Sequence, residues 1–338
     1  MNVMKDAGSA STANNNVVRF QTCGDGCNTD KTGSVLRRRH RFPCFIGGRS
    51  SLAHGLRVTL TLCLTIFCGT ATAGASPSYA VWYGPKPPID QLAGFDRIII
   101  EADNFSDEEI TALKQHGGKV LAYLSIGEWN PQRVSKKPVE KAWILGKNDH
   151  WRSQIMDLTA VGWQSFLYDR ATELKQRGVN GLFLDTLDSH MLPPMSPGKR
   201  EEQQRGLVKI ISAIKTEYPD FILAANRGFE VMDRIAPHLA AVAAESLYQG
   251  WNSAQQQYRP VPPADRRWLT QMLKKIQAGH HLDILILDYL PPQQREKARK
   301  TARKIIADGF IPWIATPAFD HLGIGALEAA KEMEEHHE

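Results

Sequence analysis

From Tyr79 onward the chain repeats one pattern eight times: a short apolar run bounded by Gly, Pro or Asp, then a longer segment with apolar residues every three or four positions. The runs are Ala80–Tyr83, Arg97–Glu101, Lys119–Ser125, Gly181–Asp185, Phe221–Ala225, Ala241–Glu245, Leu282–Asp288 and Phe310–Ala315. Strands this apolar are buried on both faces, and strands separated by helices pair in parallel. Eight such units over about 250 residues match a (β/α)8 barrel, a closed parallel sheet inside a ring of helices. A doubly wound open sheet is the alternative, but it normally advertises a nucleotide site, and neither G-x-G-x-x-G nor G-x-x-x-x-G-K-[ST] occurs. The expected fold is therefore α/β, a (β/α)8 TIM barrel forming a single domain over residues 74–338, behind an N-terminal segment of residues 1–73.

The helical segments carry their own punctuation. Ser106-Asp-Glu-Glu109 is a capping box, with Gly117-Gly118 as the stop. Trp163, Phe166, Leu167, Ala171 and Leu174 share one face before Gly178, and Leu207, Ile210, Ile211 and Ile214 repeat that spacing before Pro219. Trp268, Met272 and Ile276 do the same ahead of Gly279. These stripes read as surfaces packed on the barrel.

The first 73 residues differ in kind. Arg37, Arg38, Arg39, Arg41, Arg49 and Arg57 precede the apolar run Leu60–Cys68, and Ala71-Thr72-Ala73 has the A-x-A form of a leader-peptidase site. That combination predicts a bacterial-type signal peptide cleaved near Ala73, hence a secreted or periplasmic protein with no stable membrane anchor after cleavage. The apolar run is shorter than the 20 or so residues a membrane span needs; an uncleaved interfacial anchor is the alternative. The polar stretch from Met1 to about Ser50 lies upstream of a leader of ordinary length and suggests an upstream start-site assignment.

Charge and cysteine divide at the same place. Of 41 Lys and Arg, 9 precede Gly74, as do 3 of the 36 acidic residues, so the body carries 32 cations against 33 anions. A nucleic-acid binder concentrates its cations in the folded domain, so no nucleic-acid partner is expected. Cys23, Cys27, Cys44, Cys63 and Cys68 all precede Gly74, which leaves the body without a disulfide, a thiolate ligand or a thiol nucleophile.

In barrels of this kind chemistry sits at the carboxyl ends of the strands. Screening those positions finds seven acids: Glu101 and Asp103 after the second run, Glu128 after the third, Asp185 and Asp188 at the fourth, Glu245 at the sixth and Asp288 at the seventh. Such a rim should attract cations. Asp185 and Glu245 each end a wholly apolar run, an environment that raises a carboxyl pKa and suits proton transfer. Glycoside cleavage needs two such groups, one to protonate the leaving oxygen and one to attack the anomeric carbon or activate water; their separation decides the stereochemistry, which a sequence does not measure. Alternatively either acid caps a helix or pairs with Arg227. Asp185, Asp188, His190 and Glu245 could also hold a metal, but no H-x-H or H-E-x-x-H motif supports one, and neither metal nor cofactor is expected. Ser125 does not sit in a G-x-S-x-G elbow. Tyr83, Tyr123, Trp129, Tyr248, Trp251 and Tyr289 fall beside strand ends, where rings could stack on sugars. His280-His281 and His336-His337 read as solvated.

Tyr123-Leu-Ser-Ile-Gly-Glu128, Gly181-Leu-Phe-Leu-Asp-Thr-Leu-Asp188, Asn226-Arg-Gly228, Ala244-Glu-Ser246 and Asp288-Tyr289, in that order, resemble glycoside hydrolase family 114, the endo-α-1,4-polygalactosaminidase-like barrels. The resemblance covers roughly Tyr79 to Leu327. It implies an endo-acting, retaining hydrolase of an α-1,4-linked, galactosamine-rich polysaccharide, with Asp185 as nucleophile and Glu245 as acid/base. Asp103, Tyr123, Glu128, Asp188, Asn226, Tyr248, Asp288 and Tyr289 would then contact or orient sugars. A glycan-binding barrel without turnover, or a metal-dependent deacetylase or hydrolase on the same scaffold, remain the rival readings.

Overall fold

The computed structural model describes residues 77–131 and 139–329. The expected leader, all five cysteines and His336-His337 lie outside them.

Eight parallel strands make the sheet: β1 (Tyr79–Trp82), β2 (Arg97–Ile100), β3 (Lys119–Ser125), β4 (Gly181–Asp185), β5 (Ile222–Asn226), β6 (Ala241–Glu245), β7 (Asp283–Tyr289) and β8 (Ile311–Ala315). Each pairs in parallel with the next. β1 lies beside β8, and the N–H groups of Tyr83 and Gly84 both donate to Phe319 O, at 2.8 and 3.3 Å. The sheet is thus a nearly closed barrel, with one short extra strand, Ile324–Gly325, running antiparallel to β8. Helices follow each of the first seven strands: α1 (Ile89–Leu92), α2 (Asp107–Leu113), α3 (Val161–Gln176), α4 (Pro197–Glu217), α5 (Met232–Ile235), α6 (Pro263–His280) and α7 (Arg295–Ala307). Among the described residues no helix is long and apolar enough to cross a membrane.

The expected runs and the strands agree to within a residue or so, because barrel staves are buried on both faces: all four residues of β1 and the first four of β6 are buried. At Gly181 a methyl group would sit 1.9 Å from Ile222 O, so only glycine lets β4 lie this close to β5. The Ser106–Glu109 capping box is present in full, and Gly117 and Gly178 take the left-handed conformation just past α2 and α3. The face of α6 departs from expectation. Leu269, Leu273 and Ile276 are buried while Trp268 is 42% exposed, and His281, not Gly279, supplies the left-handed residue that ends the helix.

Barrel register brings the site together. Leu184 pairs with Ala225, so Asp185 comes level with Asn226, and Asn226 pairs with Ala243, two residues before Glu245. Two hairpin-like insertions rise from the same end. After β3, the strand Glu128–Trp129 pairs antiparallel with Ser153–Met156, which pairs with Ile144–Asn148. After β6, Gln249–Asn252 pairs antiparallel with Gln257–Pro260. Neither insertion is signalled by the eightfold pattern, since both lie inside a strand-to-helix connection.

Candidate active site

Asp185, Asn226 and Glu245 end three consecutive staves, and the residue after each of them has a positive φ: Thr186 at 62°, Arg227 at 63° and Ser246 at 63°. None is glycine, and for a β-branched threonine this conformation is strained. At each point the chain completes a rung with its neighbour and then leaves the sheet: Arg227 N donates to Ala243 O (2.9 Å) and Ser246 N to Leu287 O (2.8 Å). Beside Asp185, Ile126 N donates to Asp185 O (3.0 Å). Thr186 is tied down further, its Oγ1 accepting from Gly127 N and meeting Ser125 Oγ, both at 2.9 Å. A side chain at Gly127 would strike Thr186 O at 2.3 Å, so this knot needs a glycine.

The two carboxylates face one amide. Asn226 Nδ2 donates to Asp185 Oδ1 and to Glu245 Oε1, each at 2.9 Å. No more than twice that distance, 5.8 Å, can therefore separate the two oxygens, and the 120° fork of an amide NH2 puts them about 5 Å apart. Each carboxylate also takes a tyrosine: Tyr123 Oη donates to Asp185 Oδ2 (2.9 Å) and Tyr289 Oη to Glu245 Oε2 (2.5 Å). Between these tyrosines runs an arc of edge-on aromatic contacts, Tyr123 to Tyr83 (5.3 Å), Tyr83 to Phe319 (5.0 Å) and Phe319 to Tyr289 (5.9 Å). All of these residues line one open cleft of about 360 Å³, within the range of roughly 300–1,000 Å³ that holds small ligands.

Burial pushes the Asp185 carboxyl up to about 6 and the Glu245 charge adds to the rise, while hydrogen bonds from Thr186, Tyr123 and Asn226 oppose it. Burial and the same Glu245 charge push the Tyr289 phenol well above its ordinary value, so it stays a proton donor to Glu245 at neutral pH. The ionised form of Asp185 is therefore expected to be lost as pH drops through about 6. Replacing Glu245 by Gln should lower the Asp185 midpoint, as followed by carboxyl-carbon NMR; an unchanged or higher midpoint would contradict this coupling.

The rest of the acidic rim differs from expectation. Asp103 lines the cleft but faces Arg170 at 2.7 Å and Arg177 at 3.8 Å. Asp188 lies 2.9 Å from Arg227 Nε, outside the cleft lining. Asp288 is fully buried and accepts from the backbone N–H groups of Leu247 (2.6 Å), Tyr248 and Gln249 (both 2.9 Å), so it holds the turn after β6 and has no oxygen free for sugar. Tyr248 points away, donating to Asp308 (2.7 Å) beneath Arg266. Glu128 lines the cleft yet spends its carboxylate on Asn148, Ser153 and Ser189. The arginines facing Asp103 and Asp188 offset part of the charge of the acidic rim. Tyr123, Asn226 and Tyr289 do converge on the Asp185–Glu245 pair. Of the candidate aromatics, Tyr83, Trp129 and Trp251 line the cleft. Trp151, Arg170 and Phe319 line it too and escape a search confined to strand ends, since one sits on an insertion, one on α3 and one in the loop after β8. Among the described residues no group of three or more His, Cys, Asp or Glu side chains is set to hold a metal ion.

The model of the glycoside-hydrolase family GH114 matches residues 69–329 of the chain. The glycoside hydrolase domain of PelA from Pseudomonas aeruginosa is 38% identical, with a TM-score of 0.68 over 73% of this chain and 97% of that one. The fold is shared, at 12% identity and a TM-score of 0.54, with Aspergillus fumigatus Ega3, whose structure is a complex with galactosamine; 74% of this chain and 95% of that one align. An uncharacterised protein of Deinococcus radiodurans is 22% identical over 236 residues, which is 66% of this chain and 74% of that protein.

Proposed function

This chain belongs to glycoside-hydrolase family GH114, and from that premise we propose that it is an exported endo-acting enzyme that cleaves α-1,4-linked, galactosamine-rich polysaccharide with retention of configuration. The observation that carries the stereochemistry is the shared amide. Carboxylates about 5–5.5 Å apart attack the sugar directly, whereas about 6.5–9.5 Å is needed to seat a water between acid and base; a ceiling of 5.8 Å between Asp185 Oδ1 and Glu245 Oε1 supports the first. The galactosamine bound by Ega3 and the PelA hydrolase domain support an aminosugar polymer as the substrate class.

In this mechanism the Asp185 carboxylate attacks C1 from the face opposite the leaving sugar. The C1–O4 bond breaks and the proton of Glu245 passes to O4. Water then enters on the vacated face, Glu245 takes its proton, and the new C1–O bond expels Asp185. Two inversions at C1 amount to retention. Asn226 holds both carboxylates in place through the cycle, Tyr123 steadies Asp185, and Tyr289 steadies Glu245.

Incubating the chain from Gly74 onward with de-N-acetylated α-1,4-galactosaminan should release short oligosaccharides whose first-formed reducing ends are the α anomer by proton NMR. A β anomer at the earliest times would overturn retention. Acetate release without a change in chain length would favour a deacetylase, and binding without any cleavage a glycan-binding barrel.

A further inference from the structure

The insertion after β3 has a buried carboxylate at the base of the turn that carries an exposed tryptophan. Glu128, Asn148, Ser153 and Ser189 are all buried. Asn148 Nδ2 (2.9 Å) and Ser189 Oγ (2.5 Å) donate to Glu128 Oε1, and Ser153 Oγ (2.5 Å) donates to Oε2. Asn148 and Ser153 are the two ends of a four-residue turn, and Ser189 belongs to the connection after β4, so the carboxylate pins both feet of the turn to the neighbouring barrel loop. A buried carboxylate held, among the described residues, by neutral donors is costly to desolvate, and its location is informative: it ties down both ends of the turn that carries Trp151. Trp151 N donates to Asn148 O (3.3 Å), and Trp151 O accepts from Asn130 Nδ2 (3.3 Å). The residue is nevertheless 59% exposed while lining the same cleft as Asp185 and Glu245.

An indole carried on a backbone fixed at the edge of a wet cleft, with most of its residue surface uncovered, presents a flat apolar face already placed beside the cleft. We propose that Trp151 is a sugar-stacking platform outside the scissile pair, taking the C–H face of one ring of an α-linked aminosugar chain, and that Glu128 is a positioning residue acting through it. A 2-ammonium group near the ring face would add a cation–π attraction. The platform rests on the glycosidase reading above and extends it to a specific outer subsite, so that recognition of chain length resides in Trp151 and bond cleavage in the carboxylate pair.

The test compares wild type, W151A, W151F, E128Q and the W151A/E128Q double variant on de-N-acetylated galactosaminan, on its oligomers of increasing length, and on an aryl α-galactosaminide too short to reach the turn. W151A should raise KM for polymer and long oligomers about tenfold with kcat unchanged, leave the aryl glycoside untouched, and be largely rescued by W151F. E128Q should reproduce the KM effect, and the double variant should be no worse than W151A. In an Asp185→Asn background, long oligomers should shift the tryptophan emission to the blue, and the W151F change should diminish that shift. Equal polymer kinetics for W151A and an active wild type would overturn the platform alone, as would an E128Q defect that adds to that of W151A. Polymer left intact by the wild type would instead overturn the underlying reading. A dimer in solution that W151A dissolves would place a second copy on this turn and overturn the sugar assignment.

Discussion

Replacing Asp185 by Asn or Glu245 by Gln should lower polymer cleavage by at least about 10³-fold while leaving binding of the polymer nearly intact. Both substitutions are close to isosteric and keep an acceptor for the tyrosine that each carboxylate meets. Under the proposed mechanism they remove the nucleophile in one case and the transferable proton in the other. The two roles separate with an aryl glycoside whose leaving group needs no proton: its first step should survive in Glu245→Gln and remain lost in Asp185→Asn. Azide should then capture the glycosyl-enzyme of the Glu245 variant, since an anionic nucleophile needs no general base. The reverse pattern of rescue would exchange the two assignments, and full activity in either variant would remove the pair from the mechanism.

The largest effect on stability is expected at Asp288. Among the described residues its side chain accepts from three successive backbone N–H groups, Leu247, Tyr248 and Gln249, and Asp288→Ala strands all three, Leu247 buried and the other two partly so. An unsatisfied buried donor costs about 1–3 kcal/mol, so a loss of roughly 3 kcal/mol or more is expected, a fall in Tm of roughly 6–12 °C by scanning calorimetry at this size of domain. Burial lifts the Asp288 carboxyl up to about 6, with the three N–H groups pulling the other way. A carboxyl raised in the folded state stabilises most below its unfolded value near 4, and that contribution is lost as pH rises through about 6. The penalty of Asp288→Ala should therefore be larger at pH 5 than at pH 8. A variant as stable as wild type at both would show that the turn after β6 is held by something else.

Much of this architecture was legible before any coordinates because barrel staves have no wet face: a run such as Ala241–Ala244 can only be interior, and the acid that ends it must then stand at the rim. That reasoning reached Asp185, Glu245, Tyr123, Asn226 and Tyr289, the five side chains joined by hydrogen bonds around the cleft. It misassigned Asp288 and Tyr248 for one physical reason. Position along a strand says which end of the barrel a side chain occupies, not which way it turns there, and Asp288 turns to the backbone while Tyr248 turns toward α7. Asp103 and Asp188 were read as open acids because their partners, Arg170 and Arg227, come from other parts of the chain. Trp151 was missed for a different cause. The Ile144–Asn148 and Ser153–Met156 strands are short, only the second is mostly buried, and their pairing is contact between distant residues that periodicity does not encode. On α6, the stripe at Trp268 and Met272 lay one residue away from the buried one at Leu269 and Leu273, a rotation of about 100° that spacing alone does not distinguish.

The repeated left-handed step after Asp185, Asn226 and Glu245 has a consequence for how such a molecule can diversify. Each step ends the stave at a fixed angle, so whatever is grafted downstream departs from a common launch point and exerts little leverage on the acids behind it. Lengthening or recolouring the Gln249–Pro260 hairpin after β6 would alter which glycans are admitted without retuning the chemistry, making the barrel a chassis on which specificity is exchangeable and bond-breaking is not.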